Sequence, residues 1–381
     1  PDGRAYTFHL RPATWSNGEP VTAQDFVDSY RRALTPATAA PKATLFYPVK
    51  NAAAFHRGEL ADFAQVGFRA VDAQTLVVTL ERPAPHFLAY VASGPWLPVN
   101  PRVVARQGRA WTRPEHFVGN GPFALREWRP HQRIVVARRP EYWDAARVRL
   151  AAVHFLAFDH GDAEERAWRA GQVDVTMALP VAKIAPYARA QPAALRRTPL
   201  YETRYLALNT RKPPLDDARV RRALALALDR AALVAHVLQG GQTPAGHFVP
   251  EQLGGFRSRA ALTEDAAAAR RLLAEAGFPE GAGFPRLEIA GWTNLPVLEA
   301  IQAMWKTQLG IDVALGTRDA RVLLADLAAG RYDIGLVAAI PDVADAADLL
   351  DDFRTGAPAN YPHWSDARYD ALLADAARAE D

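Results

Sequence analysis

The 381-residue chain contains no cysteine. That excludes a disulfide framework, thiolate metal sites and a cysteine nucleophile. It leaves the compartment open, because a large domain can live in an oxidising space without disulfides. Long hydrophobic runs are missing too: nothing approaches the roughly 18 uninterrupted apolar residues of a membrane-spanning helix. The most apolar helical stretch, "ALALALDRAALVAHVL", is broken by Asp229 and Arg230. Serine is scarce. The five serines, Ser16, Ser29, Ser93, Ser258 and Ser365, include none in a G-x-S-x-G elbow, so a hydrolase nucleophile has no support. The ten histidines are scattered without H-E-x-x-H or another short metal-ligand spacing. "EGAGF" (280–284) lacks a third glycine and precedes a strand rather than following one, and no P-loop lysine follows a glycine.

Charge is nearly balanced, at +3 overall. Basic residues come as isolated pairs (Arg31-Arg32, Arg138-Arg139, Arg196-Arg197) with acids mixed in. Nucleic-acid binders concentrate positive charge on one face, so this pattern reads as a solvated surface. What is present is ordinary globular material, 49% hydrophobic and 23% charged, and long enough for two or three cores. The chain opens "PDGRAYTFHL" and ends "DAARAED" within a helical pattern, which suggests part of a longer protein.

Periodicity organises the chain. "YTFHL" (6–10) alternates as a strand. Thr22 with Asp25 three residues on resembles a capping box, and Phe26, Tyr30 and Leu34 give the following helix one apolar face until Pro36. "TLVVTL" (75–80), "RIVVA" (133–137), "VHFLAF", "VDVTMAL" and "TRYLALNT" read as further strands, with the helix "DAEERAWRAG" among them. "LDDARVRRALALALDRAALVAHVLQGG" predicts two helices, the second ending at Gly240-Gly241. The last third is a βαβαβ run: "LEIAGW" (287–292), a helix closed by Gly310, "IDVAL", a helix closed by Gly330, and "YDIGLVAA". Such runs form parallel sheets with right-handed crossovers, and ligands bind beyond the carboxyl ends of their strands where strand order reverses.

Asp342 lies just past the third of these strands, behind Pro341. Alone, with Asp345 three residues on, it reads as a helix N-cap, a role compatible with a ligand contact because one carboxylate can accept twice. The series Asp342, Asp345, Asp348, Asp351 lacks the alternation and central glycine of a calcium loop and reads as an exposed helix face. A several-lobed protein with a carboxylate at a sheet end and no catalytic constellation suits binding better than catalysis.

"YTFHLRPATWSNGEPVTAQDFVDSYRRALTPATAAPKATLFYPVKNA" (6–52) strongly resembles the extracytoplasmic oligopeptide-binding proteins of ABC importers, the family 5 solute-binding proteins. "GFRAVDAQTLVVTLERPAPHFL", "NGPFAL", "RRPEYWDA", "LALNTRKPPLDDARVRRALALALDR", "ARRLLAEAGF" and "YDIGLVA" continue the match nearly end to end. The resemblance implies a periplasmic-binding-protein-like α/β fold, two lobes joined by a hinge plus an extra subdomain. The expected division is 1–118 (extra subdomain), 119–228 (middle of the hinge-proximal lobe) and 229–381 (C-terminal lobe). It implies an oligopeptide ligand enclosed by lobe closure, a membrane permease as partner, a periplasmic monomer, no cofactor, no metal and no nucleic acid. In the family an Asp beyond a strand of the C-terminal lobe pairs with the peptide α-amine, and Asp342 matches it. The strand backbone at Ala338, Ala339 and Ile340 is expected to bind peptide backbone. Tyr47 matches a tyrosine that reaches the ligand from the extra subdomain. Asn209, Tyr205, Trp292 and Trp364 are candidates to line the cleft, each with an alternative as a packing residue. Where relatives commonly carry an aromatic residue before the Asp and an Arg further up the strand, this chain has Ala339, Ile340 and Leu336. A cell-wall peptide, a non-peptide solute, a sensor role and a peptidase remain as rival readings.

Overall fold

The computed structural model describes residues 3–377 apart from 85, 252 and 294. The last four residues of "DAARAED" therefore lie outside the described residues. The chain divides into two compact units, one built from the chain up to Ala178 and the other from Leu179–Ala376. That division falls inside the segment 119–228 expected from the resemblance to be one piece.

In the first unit β1 (Ala5–His9), β2 (Phe68–Ala70) and β3 (Thr75–Thr79) form an antiparallel sheet in the order β1-β3-β2. Helix α1 (Ala23–Leu34) carries the expected capping box: Thr22 Oγ1 accepts from Asp25 N, and the Asp25 carboxylate accepts from Thr22 N. Its inward side chain Tyr30 joins Phe46, Phe68 and Trp96 in one aromatic core with ring centroids 4.6–6.4 Å apart. A second antiparallel sheet, β4 (Phe123–Arg129), β5 (Arg133–Arg138) and β6 (Ala152–Leu156), follows. The segment "VDVTMAL" is not a strand. Its alternation is real, but Val175 and Met177 are exposed and no strand is paired with them among the described residues.

The sequence landmarks of this unit turn out to be structural wiring. Buried Arg139 donates to the carbonyls of Gly121 (2.9 Å) and Thr14 (2.9 Å) and to Thr14 Oγ1 (3.2 Å), tying "RRPEYWDA" to "NGPFAL" and to the start of the Trp-Ser-Asn-Gly turn. Buried Asp25 accepts from Trp15 Nε1 (3.0 Å) and from Arg102 (2.9 Å). Glu19 accepts from Asn100 (3.0 Å) and from Arg102 Nε (2.9 Å). Hydrogen bonds from Asn100, Arg102 and Asn17 hold the Glu19 carboxyl down at about 2, from an ordinary 4.5.

The second unit contains β7 (Thr203–Leu208), β8 (Glu288–Gly291), β9 (Ala314–Thr317) and β10 (Ile334–Ala339) in the order β7-β10-β8-β9. β10 is parallel to β8 and antiparallel to β7; β8 is parallel to β9. Helices α2 (Ala218–Leu226), α3 (Ala266–Glu275) and α4 (Leu295–Leu309) cover one face, packing Val220, Leu273, Leu298 and Trp305 against Ile289, Ile334 and Leu336. Helix α5 (Ala320–Ala328) covers the other, with Leu323 and Leu327 against Ala290, Ala207 and Val337. Alternate residues of each strand thus feed alternate layers, the period-2 rule for a sheet buried on both sides. The expected glycines close both crossover helices: Gly310 and Gly330 stand at φ +71° and +69°. The second helix of the 218–241 stretch instead passes into a π-helix over Leu233–Leu238 and stops at Gln239, which itself takes the left-handed conformation at φ 53° and leaves Gly240-Gly241 beyond the end. β9 starts at Ala314, three residues later than the apolar run "IDVAL" suggests, because buried Ile311 and Val313 pack into the core from the preceding loop.

Glu19 yields a pH prediction. A carboxyl depressed in the folded state contributes stability above its unfolded pKa and loses it as pH falls through the folded value. The wild type should lose this contribution between pH 4.5 and about 2. Glu19→Gln, which lacks it at every pH, should show a shallower fall across that window in denaturant melts; parallel curves would contradict the assignment.

Candidate functional site

The site follows from how β10 is paired. Along β7 it is bonded for its whole length, from Ile334↔Leu208 to Ala339↔Thr203. Along β8 it has two rungs, Ile334↔Ile289 and Gly335↔Ala290. β8 ends at Gly291, whose carbonyl is taken by Arg318 N on the far side. Above that point no strand among the described residues is paired with this side of β10, which leaves an open lane.

Which backbone groups face the open lane follows from one bond. Asn209 N donates to the Asp333 carbonyl (3.0 Å), so Asp333 points its polar groups at β7. Residues 335, 337 and 339 do likewise, and 334, 336 and 338 point toward the β8 lane. The Leu336 carbonyl and both polar groups of Ala338 therefore face the lane above β8, and Ile340 N–H continues the alternation. From 336 to 340 is four residue steps, about 13 Å. An extended chain of about three residues fits that length as an added strand, a common mode of peptide capture.

Strand order also reverses here. The chain leaves β8 through α4 to β9 on one side, then returns through α5 to β10 on the other side of β8. Beyond the carboxyl ends of such neighbours lies the usual ligand crevice of an open α/β sheet. The residues there are Trp292-Thr293 after β8 and Ile340-Pro341-Asp342 after β10.

Asp342 is exposed at the head of the lane, and its N–H donates to Asp348 Oδ2 (2.5 Å). It is not the helix N-cap. Helix α6 (Ala346–Leu350) is capped by Asp345, whose extended backbone (φ −139°, ψ 138°) lets Oδ1 accept from Ala347 N (2.8 Å). The capping expectation for Asp342 is thereby corrected: the cap belongs to the residue directly before the first helical turn.

The other candidates separate. Ala338 and Ile340 present backbone to the lane. Ala339 does not: its polar groups face β7, and its methyl is buried with Val249, Leu253 and Leu349. Ile340 is 57% exposed. Trp292, half-buried, packs on the α5 face against Val337 and Ala290. Tyr205 sits edge-on to Phe248 (centroids 5.1 Å) and near Phe353, and burial pushes its hydroxyl pKa up. Asn209 is at the opposite end of β10 from Asp342. It is buried, with its amide nitrogen on the carbonyls of Gly330 (3.1 Å) and Tyr332 (2.9 Å), a joint between strands. Trp364 stacks edge-on to Tyr369 (5.1 Å) in a loop held by Asn360, which donates to the Trp364 carbonyl and accepts from its N–H. In the first unit, Tyr47 is half-buried and its hydroxyl bonds His56 Nδ1 (2.8 Å). The Leu336 carbonyl is invisible in the sequence, because a backbone acceptor leaves no mark in side-chain identity. Among the described residues no group of three or more His, Asp or Glu side chains is placed to hold a metal, and no helix is long and apolar enough to cross a membrane.

Residues 1–361 match the family described as bacterial extracellular solute-binding proteins, family 5. A probable deoxycholate-binding periplasmic protein of Escherichia coli is 35% identical, over all of this chain and 72% of that protein. A periplasmic oligopeptide-binding protein of Salmonella typhimurium is 31% identical, again over all of this chain and 72% of the relative. The solved structure of the Escherichia coli murein tripeptide binding protein superposes with a TM-score of 0.86 at 32% identity, covering 100% of this chain and 76% of the other.

The orientation of the lane can be checked with proline. Ala339→Pro removes an N–H bonded to β7 in a central strand and should lower the melting temperature strongly. Ala338→Pro removes one that faces the open lane and should cost markedly less in the same thermal melts. The reverse order would mean that the backbone faces have been exchanged.

Proposed function

The chain belongs to the family 5 bacterial extracellular solute-binding proteins, and from that premise we propose that it captures short peptides and hands them to the membrane permease of an ABC importer. The observation that carries this reading is the open edge of β10, which ends at the Asp342 carboxylate. Ala338 and Ile340 would pair with peptide backbone, which every peptide offers alike. Asp342 would pair with the α-amine, because an ammonium taken out of water without a partner is costly. Binding would then depend chiefly on backbone and amino terminus.

Relatives described as periplasmic oligopeptide-binding and murein peptide-binding proteins support the peptide class and an extracytoplasmic location. The three-part division at 118 and 228, a monomeric state, and Tyr47 as a further ligand contact belong to the same proposal. So does the absence of catalysis, which predicts that peptides incubated with the protein stay intact by mass spectrometry.

A second reading, a non-peptide or cell-wall ligand, is favoured by the apolar sequence Leu336-Val337-Ala338-Ala339-Ile340-Pro341 leading to the anchor, and by the relative described as a probable deoxycholate-binding protein. A bile acid would bring a carboxylate rather than an amine to Asp342, so the two readings differ in sign of charge. Calorimetry separates them. A free tripeptide should bind the wild type and lose about 2–5 kcal/mol in Asp342→Ala. N-acetylation should weaken wild-type binding by a similar amount and change little in the variant. Equal affinity for free and acetylated peptide, or binding of deoxycholate alone, would overturn the peptide reading.

A further inference from the structure

Arg204, on β7, is the cross-strand partner of Ala338. Its side chain shares the face of Leu206, Leu208, Ile334 and Leu336, the face that α2, α3 and α4 cover lower in the sheet. That cover stops at the level of the lane. Leu336 is 5% exposed, whereas the Arg204 side chain is 47% exposed. Only a methyl group, that of Ala338, stands on β10 between Arg204 and the open lane. The guanidinium Nε bonds Glu202 Oε1 (2.7 Å), while its two terminal nitrogens carry no hydrogen bond among the described residues. Arginine offers five donors, so most of its capacity remains for a ligand.

Charge is uneven along the segment that carries Asp342. No basic residue occurs between Arg331 and Arg354, while Asp342, Asp345, Asp348, Asp351 and Asp352 all lie in that interval. A ligand carboxylate further down the lane would meet Arg204.

Register says where. A peptide anchored by its amine at Asp342 runs antiparallel to β10, which sets residue 1 opposite Ile340, residue 2 opposite Ala339 and residue 3 opposite Ala338. Side chains alternate in direction, so residue 3 projects to the Arg204 face and residue 2 to the opposite face, that of Trp292. Two strand spacings separate the Cβ atoms of Arg204 and residue 3, about 9.5 Å. An extended arginine and a glutamate together bridge that span. We infer that Arg204 is a specificity-determining residue, selecting peptides with a carboxylate side chain at the third position.

The inference rests on the peptide reading, and four tetrapeptides test the two separately: Ala-Ala-Glu-Ala, Ala-Ala-Gln-Ala, Ala-Ala-Lys-Ala and Ala-Glu-Ala-Ala. By calorimetry the wild-type protein should favour Glu over Gln at position 3 by about two- to fivefold, the size of a half-exposed ion pair. In Arg204→Gln that ratio should fall to about one. In Arg204→Glu the preference should turn to Lys. The ratio between Ala-Glu-Ala-Ala and Ala-Ala-Gln-Ala should be the same in wild type and Arg204→Gln, because position 2 lies on the other face. Peptides that bind with an unchanged Glu-to-Gln ratio in Arg204→Gln overturn the Arg204 assignment alone, as does dependence on Arg204 at position 2 instead of 3. Failure of all four peptides to bind the wild type overturns the peptide reading and this inference with it.

Discussion

The unequal pairing of β10 is the constraint from which the candidate site follows. A strand bonded along its whole length on one side is held straight and in register, so its other edge is presented as a rigid row of donors and acceptors. Were β8 three residues longer, that row would be filled by the protein itself. Were β7 shorter, the row would be a loose end rather than a template. β8 is cut off where Gly291 gives way to Trp292-Thr293, and the chain then turns into α4. The early stop exposes the Leu336 carbonyl and the Ala338 polar groups at the place where strand order reverses.

Exposed strand edges are a hazard, since they can recruit any other strand. Here the open stretch is only about four residues long. It ends in Pro341, which cannot continue a ladder, and in a run of aspartates that disfavours self-association by like charge. The acids thus have a physical role that needs no metal. Asp345 caps α6 and Asp348 accepts from the Asp342 backbone, so the turn carrying Asp342 is fixed by its neighbours. The backbone of Asp342 is therefore held in place, which limits the positions its carboxylate can take.

The first unit shows a different use of recognisable sequence. The Trp-Ser-Asn-Gly-Glu-Pro-Val-Thr-Ala-Gln-Asp-Phe stretch reads like a functional motif, yet its polar side chains serve the fold. Trp15, Glu19 and Asp25 are bound to Arg102 and Asn100 or to one another, and Arg139 satisfies carbonyls that no regular ladder reaches. Buried polar groups need partners at defined positions. Such a network constrains residue identity as tightly as a ligand site does, and identity alone cannot separate the two.

The sequence by itself determined the element types of the last third, the capping box of α1, the glycine stops at Gly310 and Gly330, and Asp342 as a residue beyond a strand. These are local matters: period, cap chemistry and left-handed turns act within a few residues. Tertiary structure alone decided that "VDVTMAL" pairs with no strand among the described residues, that Asp345 is the cap, that Asn209 stands at the far end of the sheet, and that Ala339 turns its backbone to β7 while Ala338 does not. Each of these depends on which strand lies beside which, and in what register. A one-residue shift in register exchanges every inward group for an outward one, and no pattern along a single strand specifies its neighbour.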